Sequence, residues 1–397
     1  MTSALLGQGV ELAFRSVLAP FFLAGRWTRA APPSTPEGVP AARASLALAG
    51  KMVLDEAFML SEVITASIIS TRESGRIRAE VAEALALFAE HGWLDAPGGY
   101  HLAPPRIGAA EARPARTRGL DFVRLSFESG YEPHAGEPGR TRWLGYEANR
   151  TAHAWVLEHP GPPRPWLVCV PAYRMGHPLV DFTGFPVPTI HRRYGANVVI
   201  PVLPLHGPRK VGRRSGDGFL TGDYLDTVHC QAQAVWDVRR VLGWLRARGA
   251  PAIGVYGLSS GGCTAALVAA LEDDLACVIA GMPATCWVSV ARRNLPPFLW
   301  RFTEWLGVPW DDIEKLVRVI SPLAFAPRVP HERRFMFAGT ADRLVSPHDV
   351  SALWRHWGRP RLAWYDGTHV SFALEATVHA LLAEALGASG LIAARGH

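Results

Sequence analysis

The stretch AIGVYGLSSGGCTAALVAAL, residues 252–271, decides the fold of this chain. It opens with a short apolar run typical of a buried strand, and a helix made of small residues follows at once. Between the two, Gly257 and Gly261 stand two positions before and two after Ser259, in the pattern G-x-S-x-G. Small residues are needed there because strand and helix approach closely at such a turn. The pattern predicts that the Ser259 side chain projects above a sheet, although a serine that caps the helix would fit the same letters.

The position of the tight turn selects Ser259 rather than Ser260, because the residue two before Ser260 is the bulky Leu258. A serine hydroxyl is a weak nucleophile that needs a base, and the base needs an acid to orient it. Asp342 follows the strand-like run RRFMFAG, and His369 follows the run RLAWYDG. Because the loops at the carboxyl ends of parallel strands meet at one edge of a sheet, we expect both side chains close to Ser259.

Other residues compete for the roles of acid and base. Asp366 is a second candidate acid, although a residue three positions before the base would have difficulty reaching the far ring nitrogen. Asp342 could instead form a turn or cap that leads into the following helix. Three further histidines fall in helical segments, where a packed or solvated side chain is the usual role: His348, His356 and His379.

From Leu120 onwards, strand-like runs alternate with amphipathic helical runs. This alternation predicts the α/β class, with a mostly parallel sheet flanked by helices on both faces. The runs LDFVRLSF and TAHAWVLEH have no helical pattern between them, so we expect that end of the sheet to be antiparallel.

The first 105 residues show helical spacing and predict a separate N-terminal helical domain, serving as a cap or dimerisation module. Its last part, WLDAPGGYHLAPP, predicts a small hairpin with Gly98-Gly99 at the turn. Residues 106–119 are rich in Pro, Ala and Arg and predict a linker. The remaining residues, 120–397, form the predicted catalytic domain.

The composition, with 49% hydrophobic and 19% charged residues in 397, excludes wholesale disorder and coiled coil. The net charge of +6 comes from scattered arginines, which favours a solvated surface over a nucleic-acid partner. The chain contains no run of about 18 apolar residues, so the sequence predicts no membrane-spanning helix. The apolar first 28 residues lack a basic start, so we expect a cytoplasmic chain, with this segment packed on the protein or in contact with a membrane interface.

The segment from Leu120 to about Gly387 resembles the α/β-hydrolase superfamily, in its serine esterase and dienelactone-hydrolase-like branches. Three ordered motifs carry this resemblance: GLSSG at 257–261, GTADRLV at 339–345 and DGTH at 366–369. The resemblance implies that Ser259 attacks an acyl carbon, that His369 shuttles the proton and that Asp342 holds the imidazole. About the first 115 residues lie outside it.

The resemblance also implies an oxyanion hole made of two backbone N–H groups. One is that of Ser260, and the other belongs to the loop after WLVCV, where Tyr173 is our choice and Ala172 the competitor. Pro171 has no N–H, and the chain lacks the HGGG or HG sequence of many family members at this point. Four residues are expected to contact substrate: Ala172, Arg174, His206 and Trp287. The insertion 282–330, which is rich in aromatic residues, is expected to be a lid.

These features predict a serine hydrolase that cleaves a carboxylic ester or thioester of a moderately apolar, small-molecule acyl substrate. The five cysteines form no CxxC pair, and no metal-ligand cluster or dinucleotide motif is visible, so we expect no metal and no cofactor. Three alternatives stay open: an acyltransferase or cyclase that uses the same triad, a catalytically inactive ligand-binding protein, and a ligand sensor joined to a DNA-binding or dimerising module. A homodimer is compatible with all of them.

Overall fold

The computed structural model describes residues 37–65, 71–220, 223–294, 301, 304–305, 307 and 309–392. Some predictions therefore lie outside the described residues: the interfacial segment 1–28 and the lid residues Phe298, Trp300 and Phe302. The described helices are α1 (Leu46–Thr65), α2 (Thr71–Glu90), α3 (Arg140–Leu144), α4 (Pro178–Gly184), α5 (Tyr224–Ala247), α6 (Ser260–Leu271), α7 (Trp287–Asn294), α8 (Trp310–Leu316), α9 (Pro347–His356) and α10 (Ala376–Ala388). The strands are β1 (Ala110–Thr117), β2 (Leu120–Glu128), β3 (Thr151–Leu157), β4 (Trp166–Val170), β5 (Asn197–Pro201), β6 (Ile253–Leu258), β7 (Cys277–Gly281), β8 (Arg334–Gly339) and β9 (Arg361–Tyr365).

In the described part of the chain, nine strands form one sheet in the order β1-β2-β3-β5-β4-β6-β7-β8-β9. The strands from β5 to β9 in this order pair in parallel. At the other end, β1, β2 and β3 pair antiparallel, and β3 joins the parallel part by pairing antiparallel with β5. The structure thus confirms the predicted mostly parallel sheet with an antiparallel end.

The parallel strands are buried on both faces, as their continuous apolar sequences predict. Val168 and Val170 of β4 belong to the core that α5, α6 and α9 cover, whereas Leu167 and Cys169 belong to the core under α4 and α10. Helix α2 contributes Phe88 to the first of these cores. The N-terminal helical segment therefore shares a core with the sheet.

Two local predictions in the N-terminal part are wrong. Residues Pro97–Tyr100 form a 3₁₀ helix, not the turn of a hairpin, and bury Pro97 and Tyr100. Within the predicted linker 106–119, Ala110–Thr117 form strand β1, which pairs with β2 over its whole length. The run AEARPART has few residues that favour strands, so the strand forms because β2 offers an unpaired edge.

Candidate active site

Ser259 occupies the sharp turn between β6 and α6. Its backbone has φ 55° and ψ −113°, a conformation that a residue with a side chain rarely adopts. The turn is held because the Ser259 N–H donates to Gly281 O at 2.8 Å. A Cβ on Gly261 would lie 2.1 Å from Val170 O, and a Cβ on Gly257 would lie 2.0 Å from Gly261 O. These contacts show why the pattern requires glycine on both sides of the serine.

Ser259, His369 and Asp342 form a continuous chain of hydrogen bonds. The Ser259 Oγ lies 2.9 Å from His369 Nε2, and His369 Nδ1 lies 2.7 Å from Asp342 Oδ2. Since Asp342 accepts at Nδ1, the neutral ring carries its proton there and presents Nε2 as an acceptor to the serine hydroxyl. The loops after β6, β8 and β9 thus bring together the three residues predicted from the motifs.

The surroundings of His369 favour its charged form. Burial alone would lower its pKa, but the charge of Asp342, the hydrogen bond that the ring donates to Asp342 and the charge of Asp55 together raise the pKa above 6.5. The other oxygen of Asp342, Oδ1, accepts the N–H groups of Leu344 at 2.8 Å and Val345 at 2.9 Å. Both oxygens of this buried carboxylate are therefore fixed, which fixes the ring that it holds.

Asp366, the competing acid, lies elsewhere. Its Oδ1 is 3.4 Å from Thr340 Oγ1, and the side chain is 45% exposed. The acid role therefore has one candidate in direct contact with the His369 ring, and that candidate is Asp342.

The two predicted oxyanion donors belong to the helix start after Ser259 and to the loop after β4. Ser260 is the first residue of α6, whose N-terminal N–H groups are the positive end of the helix. The close approach of Gly261 to Val170 O and Pro171 O places the start of the loop after β4 against this helix end. In that loop, the Ala172 N–H points to Met175 Sδ at 3.2 Å, which favours Tyr173 over Ala172 as the second donor.

The predicted substrate residue Arg174 has its guanidinium bound within the protein. It donates to Glu62 at 2.6 Å, to Asp217 Oδ1 at 2.6 Å and to Ser215 O at 2.7 Å. Its backbone has φ 72°, so the loop turns sharply at this residue. Through these contacts Arg174 holds the loop that carries Tyr173, and its contact with a substrate stays a prediction.

Two other predicted substrate residues, His206 and Trp287, belong to an aromatic cluster. Phe219 packs against Trp287 at 5.2 Å between ring centroids, against Tyr173 at 6.0 Å and against His206 at 6.2 Å. Burial lowers the pKa of His206 to about 4, so the ring is neutral. Its Nδ1 donates to Pro204 O at 2.7 Å. Among the described residues, its buried Nε2 and the buried Nε1 of Trp287 have no hydrogen-bond partner.

Sequence reasoning missed two acidic residues of helix α1 that contact the loops of the site. Asp55 accepts hydrogen bonds from the backbone of His369 and of Arg343, and Glu62 binds Arg174 and the Tyr173 hydroxyl. The two carboxylates are seven positions apart and therefore lie on one helix face. This spacing was the one sequence feature that could have identified the pair. It is weak evidence for a role at the site, because acidic residues on one helix face are usually solvated.

Across the described ranges, His, Cys, Asp and Glu side chains form no group of three or more that could hold a metal ion. None of the helices that the structure describes combines the length and apolar character that crossing a membrane requires.

No family model matches the chain. Two Mycobacterium tuberculosis proteins, uncharacterized protein MT2702 of strain CDC 1551 / Oshkosh and uncharacterized protein Rv2627c of strain ATCC 25618 / H37Rv, are each 41% identical over 367 residues. The matched part is 90% of this chain and 86% of each relative. A relationship of this extent shows common family membership.

Solved structures resemble the chain in fold. The acetyl xylan esterase from Paenibacillus sp. R4 has a TM-score of 0.53 at 16% identity, covering 73% of this chain and 93% of the other. Acetyl xylan esterase 1 from Thermoanaerobacterium sp. JW/SL YS485 has a TM-score of 0.50 at 14% identity, covering 73% of this chain and 92% of the other. The chain therefore belongs to the family of the two mycobacterial proteins, and its fold is that of the α/β-hydrolase superfamily.

Proposed function

We propose that the protein is a serine hydrolase that cleaves a carboxylic ester through an acyl-enzyme on Ser259. One observation carries this proposal: the hydrogen-bonded chain from Ser259 Oγ to His369 at 2.9 Å and from His369 to Asp342 at 2.7 Å. A serine at a strained turn with an oriented base is the arrangement that nucleophilic acyl transfer requires.

In the proposed reaction, Ser259 Oγ attacks the acyl carbon while His369 Nε2 takes its proton. The carbonyl π pair moves to oxygen, and the oxyanion is bound by the N–H groups of Ser260 and Tyr173. Collapse of this intermediate expels the alcohol, which takes the proton from His369. Water then attacks the acyl carbon by the same route, releasing the acid and restoring Ser259. Asp342 stays ionised and stabilises the imidazolium in both halves.

The aromatic cluster of Tyr173, His206, Phe219 and Trp287 supports an apolar acyl group as the preferred substrate. Tyr173 joins this cluster to the proposed oxyanion loop, so an acyl chain bound at the turn would extend toward these rings. Carboxylic esters and thioesters share the acyl carbon that the site would attack. The insertion 282–330, from which Trp287 comes, remains our candidate for the lid.

A fluorophosphonate probe tests the proposal, because it reacts with activated serines. We expect peptide mass spectrometry to find the adduct on Ser259, and Ser259→Ala to lose labelling and about 10⁴-fold or more of the esterase rate. Ser260→Ala is the matched control, since it removes the neighbouring hydroxyl but keeps the backbone N–H. Normal esterase activity in Ser259→Ala, or an adduct on Ser260, would contradict the proposal.

A further inference from the structure

Asp55 of helix α1 lies between the two loops that carry the acid and the base. Its Oδ2 accepts the N–H groups of Arg343 at 3.0 Å and His369 at 3.1 Å, and its Oδ1 accepts the N–H of Val370 at 2.9 Å. Arg343 directly follows Asp342 in the chain. One carboxylate thus joins the backbone beside the acid to the backbone of the base itself.

Helix α1 is docked against these loops by further contacts. Lys51 Nζ lies 2.6 Å from Glu375 Oε1, and the Thr368 hydroxyl donates to Lys51 O at 3.1 Å. Glu56 forms an ion pair with the Arg343 side chain. The position of Asp55 is therefore set by contacts on both sides of it along the helix.

Keeping a carboxylate at this position has a cost. Asp55 is fully buried, and both its burial and the nearby charge of Asp342 raise its pKa above 3.8. The N–H groups of Arg343 and Val370 and the neighbouring His369 offset part of this cost, because each lowers the pKa of Asp55 and so favours its ionised form. An apolar residue would leave the three N–H groups without this acceptor, and an amide has a single acceptor oxygen, so a carboxylate joins all three N–H groups despite its repulsion by Asp342.

We propose that Asp55 is a positioning residue, which fixes the acid loop and the base loop to each other and so keeps the His369 ring between Asp342 and Ser259. This inference rests on the proposed function and deepens it. It makes helix α1, which lies outside the part of the chain that resembles hydrolases, a component of the catalytic site.

Two effects follow from this placement. The first is geometric: without the three N–H bonds, the base loop can shift relative to the acid loop, and His369 leaves its alignment with Ser259. The second is electrostatic, because the negative charge of Asp55 stabilises the imidazolium and adds to the effect of Asp342. The charged or titratable groups around this point from every element packed against it are Lys51, Glu56, Arg293, Asp342, Arg343, Tyr365, Asp366 and Glu375.

Two variants separate these effects. Asp55→Asn removes the charge and turns an NH₂ group toward one of the three N–H donors, so we expect kcat to fall by about 10- to 100-fold with KM unchanged. The acid limb of the kcat/KM profile should move to lower pH by on the order of half a unit, since His369 loses a stabilising charge. Asp55→Glu keeps the charge but displaces the oxygens by a methylene, so kcat should fall while the limb stays in place.

The measurement that does not depend on turnover is a titration of His369 by NMR, in protein with isotope-labelled histidine and with the signal assigned from His369→Ala. We expect the midpoint to fall in Asp55→Asn and to stay in Asp55→Glu. Glu80→Gln is the control, because it removes a carboxylate of the N-terminal helices that binds Arg142 rather than the acid loop or the base loop. Thermal unfolding shows that each variant is folded.

A wild-type His369 titration and wild-type kcat in Asp55→Asn would overturn the inference, as would an equal change in Glu80→Gln. If Asp55→Asn does not fold, the kcat of Asp55→Glu decides, and an unchanged kcat would overturn the inference. If the wild-type protein does not react with fluorophosphonate, the proposed function fails. The titration would still show whether Asp55 sets the state of His369, so the two failures are distinguishable.

Discussion

At the residue scale, the turn at Ser259 depends on the absence of a side chain at Gly261. A Cβ there would meet two backbone oxygens, Val170 O at 2.1 Å and Pro171 O at 2.4 Å, and backbone cannot move aside as a flexible side chain can. We predict that Gly261→Ala lowers the free energy of unfolding by about 3 kcal/mol or more. Urea denaturation of the purified variant measures this difference.

Gly243, in helix α5, provides the control for that prediction. A Cβ at Gly243 would meet no atom within 4 Å, so Gly243→Ala should be neutral or stabilise the helix by up to about 1 kcal/mol. If Gly261→Ala is as stable as Gly243→Ala, the strand and the helix can move apart at the turn, and the prediction is wrong.

At the scale of elements, helix α1 contacts the proposed oxyanion loop through Glu62. This carboxylate binds Arg174 at 2.6 Å, the Tyr173 hydroxyl at 3.1 Å and Arg214 at 3.0 Å. We predict that Glu62→Gln lowers kcat by about 10- to 100-fold, because the loop loses the position from which Tyr173 donates. Esterase kinetics on the folded variant, well below its melting temperature, measure the effect.

Glu80→Gln is the matched control, since Glu80 also comes from the N-terminal helices and binds Arg142 at 2.8 Å and 3.0 Å, away from the turn. Breaking either partly buried ion pair should lower stability, but only the Glu62 variant should lose kcat. Equal kcat values in the two variants would show that Glu62 does not hold the loop of Tyr173 in an active position.

The elements also show what the sequence could predict. The turn and the loops of Asp342 and His369 were predictable because each is a local motif at the end of an apolar strand. Asp55 and Glu62 were not, because their role arises only when helix α1 docks against loops about 290 and 110 positions away. Strand β1 was missed for a related reason: its pairing with β2 outweighs the low strand propensity of its own residues.

At the scale of the whole molecule, Glu137 joins the N-terminal segment to the part of the chain that forms the sheet. It accepts the Tyr100 hydroxyl at 2.8 Å and the His134 N–H at 3.0 Å, and burial raises its pKa from 4.5 to about 7. At pH values between these two pKa values, Glu137 holds a proton in the folded protein but has lost it in the unfolded chain. The contribution of Glu137 to the free energy of unfolding therefore falls as pH rises.

Glu137→Gln should lack that dependence. The quantity to compare is the free energy of unfolding of Glu137→Gln minus that of the wild type. We predict that this difference increases between pH 4.5 and about 7, by about 3 kcal/mol at most. Urea denaturation of both proteins at several pH values across this window gives the difference directly. Parallel stability curves would mean that Glu137 has the same proton affinity in the folded and unfolded chains.

Among the described residues, strand β1 forms one edge of the sheet and pairs only with β2. Its residues are mostly exposed, and the run carries Arg113, Pro114 and Arg116. Charged side chains and proline on an outer strand hinder the addition of a further strand, because proline has no N–H to donate and like charges repel across the new pair. Copies of this chain should therefore neither aggregate by extending the sheet past β1 nor associate through that edge, and a homodimer would have to use another surface of the protein.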